Sequence, residues 1–244
     1  MGYINDLKEQ ALATLKGKWG SFVGLTFIFM LLMGIATGAT QFGEIFTGSS
    51  FRTLAIIMTG SGFLLTVLAI PLQVGYYIAF LNSSRQDLPA DIGDLFCGYQ
   101  NFWHVLGTML LGTLIVIAGC CLFLVPGIIL AFAYALVPYI MHDHPELSAT
   151  EILQLSRVMM KGHKMDLFLL YLSFIGWALL CVLTLFIGYF WLEPYMQMTM
   201  VKFYEQLRAE FEGVGDEETP LQEDETPAEE MQPAPEEEGK QATE

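Results

Sequence analysis

Apolar stretches of membrane-spanning length are the feature that most constrains how this chain can fold. They cover about residues 19–39, 54–81, 102–124, 126–141, 166–187 and 189–204. A helix needs about 20 residues to cross a hydrocarbon core of about 30 Å, and these stretches are that long or nearly so. Lipid offers no partners for backbone N–H and C=O groups, so each stretch must be helical. The sequence therefore predicts an all-α, polytopic transmembrane helical bundle of six spans within residues 1–212.

The third and fourth stretches are joined only by Val125, Pro126 and Gly127, and no charged residue lies between positions 102 and 141. They form either one very long buried segment or a tight helical hairpin. Proline suits the first turn of a helix and disfavours helical geometry at the residue before it. About 40 residues also match the length of two crossings. We therefore predict a hairpin.

Amphipathic stretches precede the first, third and fifth spans. The clearest begins with a capping box, in which Ser148 is the N-cap and Glu151 is the third helical residue. Apolar residues then recur at helical spacing as far as Met159. We predict interfacial amphipathic helices at all three places. An interfacial helix followed by two spans would occur three times, as in an internal repeat. The similarity between the units could equally reflect the proline and aromatic residues that are common in membrane helices.

The net charge of −15 comes almost entirely from the C-terminal end of the chain. Of 26 acidic residues, 14 lie from Glu210 onward, where Lys240 is the only base. The first 209 residues carry 12 acids and 10 bases, a net charge of −2. Residues 213–244 are rich in Glu, Asp, Pro, Thr and Gln, a composition that cannot bury enough apolar surface to fold. We predict a disordered acidic tail, which is a candidate segment for binding a protein partner.

The distribution of Lys and Arg predicts the orientation of the bundle. Six spans place both termini on one side of the membrane. With Lys240 in the tail left aside, nine basic residues fall on the side of the termini and only Arg52 falls on the other. The positive-inside rule then places both termini in the cytoplasm.

Basic residues gather at two junctions between an amphipathic helix and the span that follows it. We predict that they contact the anionic head groups of membrane lipids, each charge contributing about 1 kcal/mol near the surface. The residues concerned are Lys16, Lys18, Arg157, Lys161, His163 and Lys164.

Glu193 is the strongest candidate for an ionisable group inside the membrane. It lies near the start of the sixth span, next to Pro194. Charged groups within a membrane are costly, so such a residue is a candidate functional acid, either a cation or proton site or a gate. The alternative is an interfacial acid near a helix N-terminus, where negative charge is favourable.

Motifs for other chemistry are weak or lacking in the sequence. The segment from His142 to His144 resembles a metal-binding cluster, but residues two apart do not share a helix face, and we interpret it as a polar exit from the fourth span. There is no nucleophile-elbow, P-loop, zinc-protease or dinucleotide motif. Outside the two junctions there is no basic patch suited to nucleic acid. We therefore predict no catalytic residue, metal, cofactor or nucleic-acid partner, and the sequence does not indicate an oligomeric state.

Several blocks of residues resemble the bacterial membrane proteins grouped as domain-of-unknown-function family 975. The likeness is strongest over residues 126–204 and extends from about Ile4. The blocks are Pro126-Gly127-Ile128-Ile129, Pro138-Tyr139, Leu147-Ser148-Ala149, Met159-Met160-Lys161-Gly162-His163-Lys164, Asp166-Leu167-Phe168, Leu172-Ser173-Phe174-Ile175-Gly176-Trp177, Pro194-Tyr195 and Phe203-Tyr204. The family is more distantly similar to the membrane domain of some glycerophosphodiester phosphodiesterases. The resemblance implies a multi-pass protein of the bacterial inner membrane and no established activity.

Two functions fit these observations, and both are non-enzymatic. The first is a membrane protein that organises lipids or partner proteins through its basic junctions and acidic tail. The alternative is a transporter or exporter of a small or lipid-like molecule, because helices interrupted by Pro and Gly are shared with transport folds. An enzyme would need a polar constellation that the sequence does not supply.

Overall fold

A computed structural model describes residues 2–45, 52–184 and 187–217, and most of the predicted acidic tail lies outside these ranges. The described residues form helices and connecting turns, with no strand among them. The elements are α1 (Gly2–Leu15), α2 (Trp19–Ile45), α3 (Arg52–Gln86), a 3₁₀ helix η1 (Ile92–Tyr99), α4 (Phe102–Leu122), α5 (Leu124–Ala133), α6 (Val137–Asp143), α7 (Ala149–Met159), α8 (Lys164–Leu183) and α9 (Tyr189–Glu217). The all-α fold class is confirmed.

Five segments in the described part of the chain are long and apolar enough to cross a membrane. They are Trp19–Gly38, Thr59–Gln86, Phe102–Leu122, Leu124–Asp143 and Lys164–Leu183. They overlap the first five predicted spans, so the chain has the helices of a multi-pass membrane protein. The predicted sixth span, 189–204, lies in α9 but is not among the five. In and just beyond this stretch α9 carries Glu193, Lys202 and Glu205.

Inner and outer helices alternate along the chain. In α2, α4 and α8 only 22% of the apolar stretch is buried, whereas the figures for α3 and for the α5–α6 segment are 56% and 50%. α9 is also an inner helix, because Val201, Phe203 and Tyr204 are fully or almost fully buried. Charged side chains in membrane helices face the interior of the bundle and pair with one another, as Lys202 does with Glu205. This explains why α9 can carry charged residues and still occupy the centre of the bundle.

The amphipathic helices lie against the inner helices rather than apart from the bundle. η1 packs on α3 and α1 packs on α9, whereas α7 packs on both α6 and the outer helix α4. The order of amphipathic helix, outer helix and inner helix therefore occurs three times. The sequence left a threefold repeat open, and such a repeat would produce this order of elements.

Glycine allows η1 to touch the backbone of α3. A Cβ atom on Gly98 would lie 2.1 Å from the carbonyl oxygen of Pro71, and one on Gly75 would lie 2.0 Å from that of Leu95. Both distances are too short for any side chain, and the opposing atoms belong to the backbone. These two glycines therefore set how closely the backbones of η1 and α3 approach each other.

The predicted hairpin between the third and fourth spans is confirmed. The chain turns at Phe123, which is extended, and Pro126 lies in the first turn of α5. The two helices approach closely, since a Cβ atom on Gly127 would lie 2.1 Å from the Cys120 sulfur.

The fourth span is broken near its middle, where the sequence predicted one helix over 126–141. α5 ends at Ala133, Tyr134 to Leu136 form a turn, and α6 begins at Val137. Pro138 has no N–H to donate to the carbonyl of Tyr134 four residues earlier, so a regular α-helix cannot continue through this point.

The capping box predicted before α7 is present. The carboxylate of Glu151 accepts a hydrogen bond from the backbone N–H of Ser148 at 2.8 Å. Hydrogen bonds from Ser148 lower the pKa of Glu151. α7 then buries Ile152, Leu153 and Ser156 against the bundle, so its position is fixed by packing as well as by its amphipathic pattern.

Candidate functional site

A cavity of about 400 Å³ lies beside the break in the fourth span. Residues of α3, α4, α5, α6, α8 and α9 line it, together with the turn between α5 and α6. Its polar and aromatic side chains are Gln73, Tyr77, Thr113, Tyr134, Tyr139, Tyr171 and Gln197. Gln73, Thr113 and Tyr171 are exposed, so the cavity opens at the surface of the bundle.

The cavity lies at the middle of the apolar segments that line it. Gln73 is central in Thr59–Gln86, and Thr113 and Tyr134 are each within one residue of the centres of Phe102–Leu122 and Leu124–Asp143. A group at the centre of a membrane-crossing helix is far from water at either surface. Polar side chains from several helices therefore converge at the depth where the membrane itself supplies no hydrogen bonds.

The broken backbone is satisfied by a side chain from α7. The hydroxyl of Ser156, which is fully buried, donates a hydrogen bond of 2.8 Å to the carbonyl oxygen of Ala133 at the end of α5. Ser156 thus stabilises the break, because it replaces a donor that the helix would otherwise supply.

Aromatic rings and an amide organise the wall formed by the inner helices. The amide of Gln73 donates to the hydroxyl of Tyr77 at 3.0 Å. The Tyr77 and Tyr139 rings lie 6.1 Å apart, and Tyr139 stacks on Tyr204 at 5.1 Å. One continuous row of tyrosines therefore joins α3, α6 and α9.

Glu193, the predicted intramembrane acid, is connected to the cavity through one residue. Its carboxylate accepts a hydrogen bond of 2.9 Å from the amide of Gln197, which lines the cavity one turn further along α9. Tyr189, one turn earlier, also interacts with Glu193. The carboxylate is partly buried, and no basic side chain among the described residues forms an ion pair with it.

Arg157 of α7 contacts the turn that breaks the fourth span. It donates a hydrogen bond of 2.5 Å to the hydroxyl of Tyr134, and its guanidinium lies 5.6 Å from the centre of the Tyr134 ring. The sequence placed Arg157 among the lipid-contacting residues. The structure brings this exposed side chain to a residue that lines the cavity, and its contact with lipid head groups stays a prediction.

The other predicted head-group residues fall into two sets. Lys18 forms an ion pair with Asp87, which lowers the pKa of that carboxyl. The Nδ1 atom of His163 lies 3.2 Å from the carboxylate of Asp166, and its Nε2 atom lies 3.6 Å from that of Glu210. In the parts of the chain that the structure describes, the side chains of Lys16, Lys161 and Lys164 have no ion pair or hydrogen bond. Both junctions turn at a glycine in the left-handed region: φ is 83° at Gly17 and 96° at Gly162.

An ion-pair network at one end of the bundle was not predicted from the sequence. The carboxylate of Asp143, whose side chain is 5% exposed, accepts hydrogen bonds from Arg85, Arg208 and Tyr204 at 2.6 to 2.8 Å. Asp143 is the middle residue of the segment interpreted as a polar exit. Its partners are 58 to 65 residues away in sequence, and no local pattern identifies them.

No group of three or more His, Cys, Asp and Glu side chains within residues 2–45, 52–184 and 187–217 could hold a metal ion. Asp143, the one carboxylate near His142 and His144 that is largely buried, is fully engaged by arginines and a tyrosine. The chemistry of the central cavity is therefore that of hydrogen bonding and aromatic contact.

Residues 108–210 match the model of a family described as a protein of unknown function (DUF975). The match covers somewhat less than half of the chain, from α4 into α9, and it confirms the resemblance to family 975 over this stretch. It includes the hairpin, the broken fourth span, α7 and Glu193. No curated protein and no solved structure matches the chain.

Proposed function

We propose that this protein moves a small or lipid-like molecule across a membrane and is not an enzyme, with the central cavity as the binding site. The observation that carries the proposal is the break in the fourth span, which lines a polar cavity at mid-depth. Non-helical backbone at that depth is tolerated only where it is enclosed by protein or lines a water-filled cavity. Transporters place their substrate sites near the bilayer midplane, at helices that are broken in this way.

The side chains of the cavity support this role over a purely structural one. A bundle that only needed stability would fill its centre with apolar side chains, because buried polar groups cost free energy unless they are paired. Here Gln73, Tyr77 and Gln197 bring hydrogen-bonding groups to a space large enough for a small molecule. Tyr139 and Tyr171 add aromatic faces.

Glu193 is the residue we assign to cation or proton coupling. Its link to Gln197 means that a change in its protonation would alter the hydrogen bonding of a cavity residue. Substitution by Gln keeps the shape and removes the charge. We expect Glu193→Gln to abolish any dependence of transport on a proton or cation gradient, while ligand binding in the cavity remains.

The orientation we propose has six crossings and both termini in the cytoplasm of a bacterium, in the inner membrane. The nine basic residues on the side of the termini, against Arg52 alone, support it. The burial of α9 at the centre of the bundle supports its role as the sixth crossing.

Access to the cavity from both sides of the membrane is the experiment that tests transport when the substrate is unidentified. Gln197→Cys would be introduced into a chain in which Cys97, Cys120, Cys121 and Cys181 are replaced by Ser. Inside-out and right-side-out vesicles are then treated with a membrane-impermeant thiol reagent. We expect labelling in both preparations, since a transporter exposes its site alternately to each side.

Thr199→Cys provides the matched control on the same helix. Thr199 is fully buried two residues further along α9, so it should resist the reagent in both preparations. Labelling of Gln197→Cys from one side only, or from neither, would contradict the transport function.

Organisation of anionic lipids is a second candidate function, favoured by a separate observation. A groove of about 420 Å³ is lined almost wholly by apolar side chains of α1, α8, α9 and the start of α2, among them Trp19, Trp177 and Trp191. Lys16 lies near one end of this lining in sequence and has no ion-pair partner among the described residues. A lipid with its acyl chain in the groove would meet that charge at its head group.

Native mass spectrometry of the purified chain tests the lipid function. The Lys16→Gln, Lys161→Gln and Lys164→Gln changes together should reduce retention of anionic lipids, whereas Lys8→Gln should not, because Lys8 lies over the Phe174 ring rather than at a junction. Unchanged retention in the triple variant would refute this function. A chain that ends at residue 213 would show whether the acidic tail recruits a protein partner. The likeness to the membrane domain of glycerophosphodiester phosphodiesterases stays a prediction.

A further inference from the structure

We propose that the molecule held at the broken fourth span carries an anionic group, a carboxylate or a phosphate, and that Arg157 binds it. This inference rests on the proposed function, because it names the substrate class of the same site. Two observations on the described part of the chain carry it: an arginine without a carboxylate partner there, and a buried hydroxyl without any partner there.

Arg157 differs from the other arginines whose side chains the structure describes. Arg85 and Arg208 both bind the carboxylate of Asp143, at 2.6 and 2.8 Å. Arg157 has only the hydroxyl of Tyr134 as an acceptor, which leaves most of its five N–H donors free. The side chain is exposed, so these donors are accessible to an incoming anion.

A side cleft of about 260 Å³ lies next to the cavity, between α4, α5, α6 and α7. The cleft and the cavity have Met109, Thr113, Ala131 and Tyr134 in common as lining residues. Tyr134, the residue that Arg157 holds, therefore stands between the two spaces. A molecule that extends from one into the other passes Tyr134, whose hydroxyl accepts the hydrogen bond from Arg157.

The side cleft also contains an unsatisfied donor. Thr108 lines it and is fully buried, and its hydroxyl has no hydrogen-bond partner among the described residues. A buried hydroxyl without a partner is destabilising, because it has lost its hydrogen bonds to water. An oxygen of a bound carboxylate or phosphate would satisfy it.

The chemistry of guanidinium selects the anion. Its planar, parallel N–H groups match the two oxygens of a carboxylate or phosphate, and it is more weakly hydrated than an ammonium group. Glu193, the other ionisable group of the site, reaches the cavity through Gln197 on α9, whereas Arg157 reaches it through Tyr134. The anionic end of the ligand therefore lies at Tyr134, away from the carboxylate of Glu193.

Paired probes that differ only in charge test the proposal. Full-length protein in phosphatidylcholine nanodiscs is titrated with benzoate and its neutral analogue benzamide, and with decanoate and decanol, and binding is measured by isothermal titration calorimetry. We expect at least one anion to bind about tenfold or more tightly than its neutral analogue. That preference should disappear in Arg157→Gln and be partly retained in Arg157→Lys. Gln154→Ala, an exposed change on the same helix, should leave it intact.

The outcomes distinguish the anion specificity of the site from the existence of a binding cavity. No preference for the anion in the unaltered protein, or the same preference in Arg157→Gln, overturns the proposal. If the neutral analogues bind in the cavity and charge makes no difference, the transport site stands and only its anion specificity fails. If neither member of either pair binds, the cavity proposal fails as well.

The source of the anion is settled by the lipid composition. In nanodiscs that contain phosphatidylglycerol, a lipid head group that occupies the site should weaken anion binding to the unaltered protein, and Arg157→Gln should remove this competition. Equal affinity in both kinds of nanodisc would assign the site to a free anion instead.

Discussion

The carboxylate of Asp143 accepts hydrogen bonds from both terminal nitrogens of Arg85, at 2.6 and 2.7 Å. This pair joins the end of α6 to the end of α3. Arg208 and Tyr204 bind the same carboxylate from α9. The inner helices α3, α6 and α9 therefore meet at one nearly buried acid.

Asp143→Asn should destabilise the bundle strongly, because it leaves two arginines without their shared carboxylate. Breaking a buried ion pair costs about 3–5 kcal/mol, and we expect about 2–3 kcal/mol here since the arginine side chains are about a third exposed. Thermal unfolding of the detergent-solubilised protein measures the change. Glu212→Gln, which removes an exposed partner of Arg208, should cost less than about 1 kcal/mol. Equal losses in the two variants would show that Asp143 is not the centre of the network.

Ser156→Ala should weaken the break in the fourth span. It leaves the carbonyl of Ala133 buried without its donor, at a cost of about 1–3 kcal/mol. Hydrogen exchange should speed up at residues 134–137 in particular. Ser173→Ala serves as a control, because that hydroxyl only supplements a carbonyl within α8, and we expect less than about 0.5 kcal/mol. Unchanged exchange around Tyr134 would contradict the role of Ser156.

Gly98→Ala should separate η1 from α3. The new methyl group would meet the carbonyl oxygen of Pro71 at 2.1 Å, and backbone must move to relieve the clash, which costs about 1–3 kcal/mol or more. Gly107→Ala in α4 meets nothing within 4 Å and should be neutral or stabilising by up to about 1 kcal/mol. The melting temperatures of the two variants test this contrast. If both changes were tolerated alike, the close approach of the two backbones would not be needed for the fold.

The apolar runs, the hairpin and the capping box could be predicted from the sequence because each depends on neighbouring residues. Pro126 and Gly127, at the junction of the third and fourth runs, indicate a turn by local geometry alone. Ser148 and Glu151 interact across three positions. Similar local reasoning could have found the break at Tyr134, since Pro138 carries the signal, but the uninterrupted apolar pattern favoured a single helix.

The site itself depends on contacts between distant parts of the chain. Gln73 and Gln197 are separate polar residues in sequence, and only the packing of α3 and α9 brings them to one cavity. Arg157 has the position of a head-group residue in its own helix, and its contact with Tyr134 arises from the way α7 packs against the broken span. Such pairings follow from tertiary structure and leave no periodic pattern.

Whether α9 crosses the membrane is the central question, because the cavity lies at mid-depth only if the helices that line it, α9 among them, cross the membrane. Alkaline phosphatase, which is active only after export, and a green fluorescent protein that is fluorescent only in the cytoplasm would each be fused after Gly188 and after Arg208. Six crossings predict active phosphatase at Gly188 and fluorescence at Arg208. The same outcome at both positions would place the two ends of this helix on one side and contradict the six-crossing bundle.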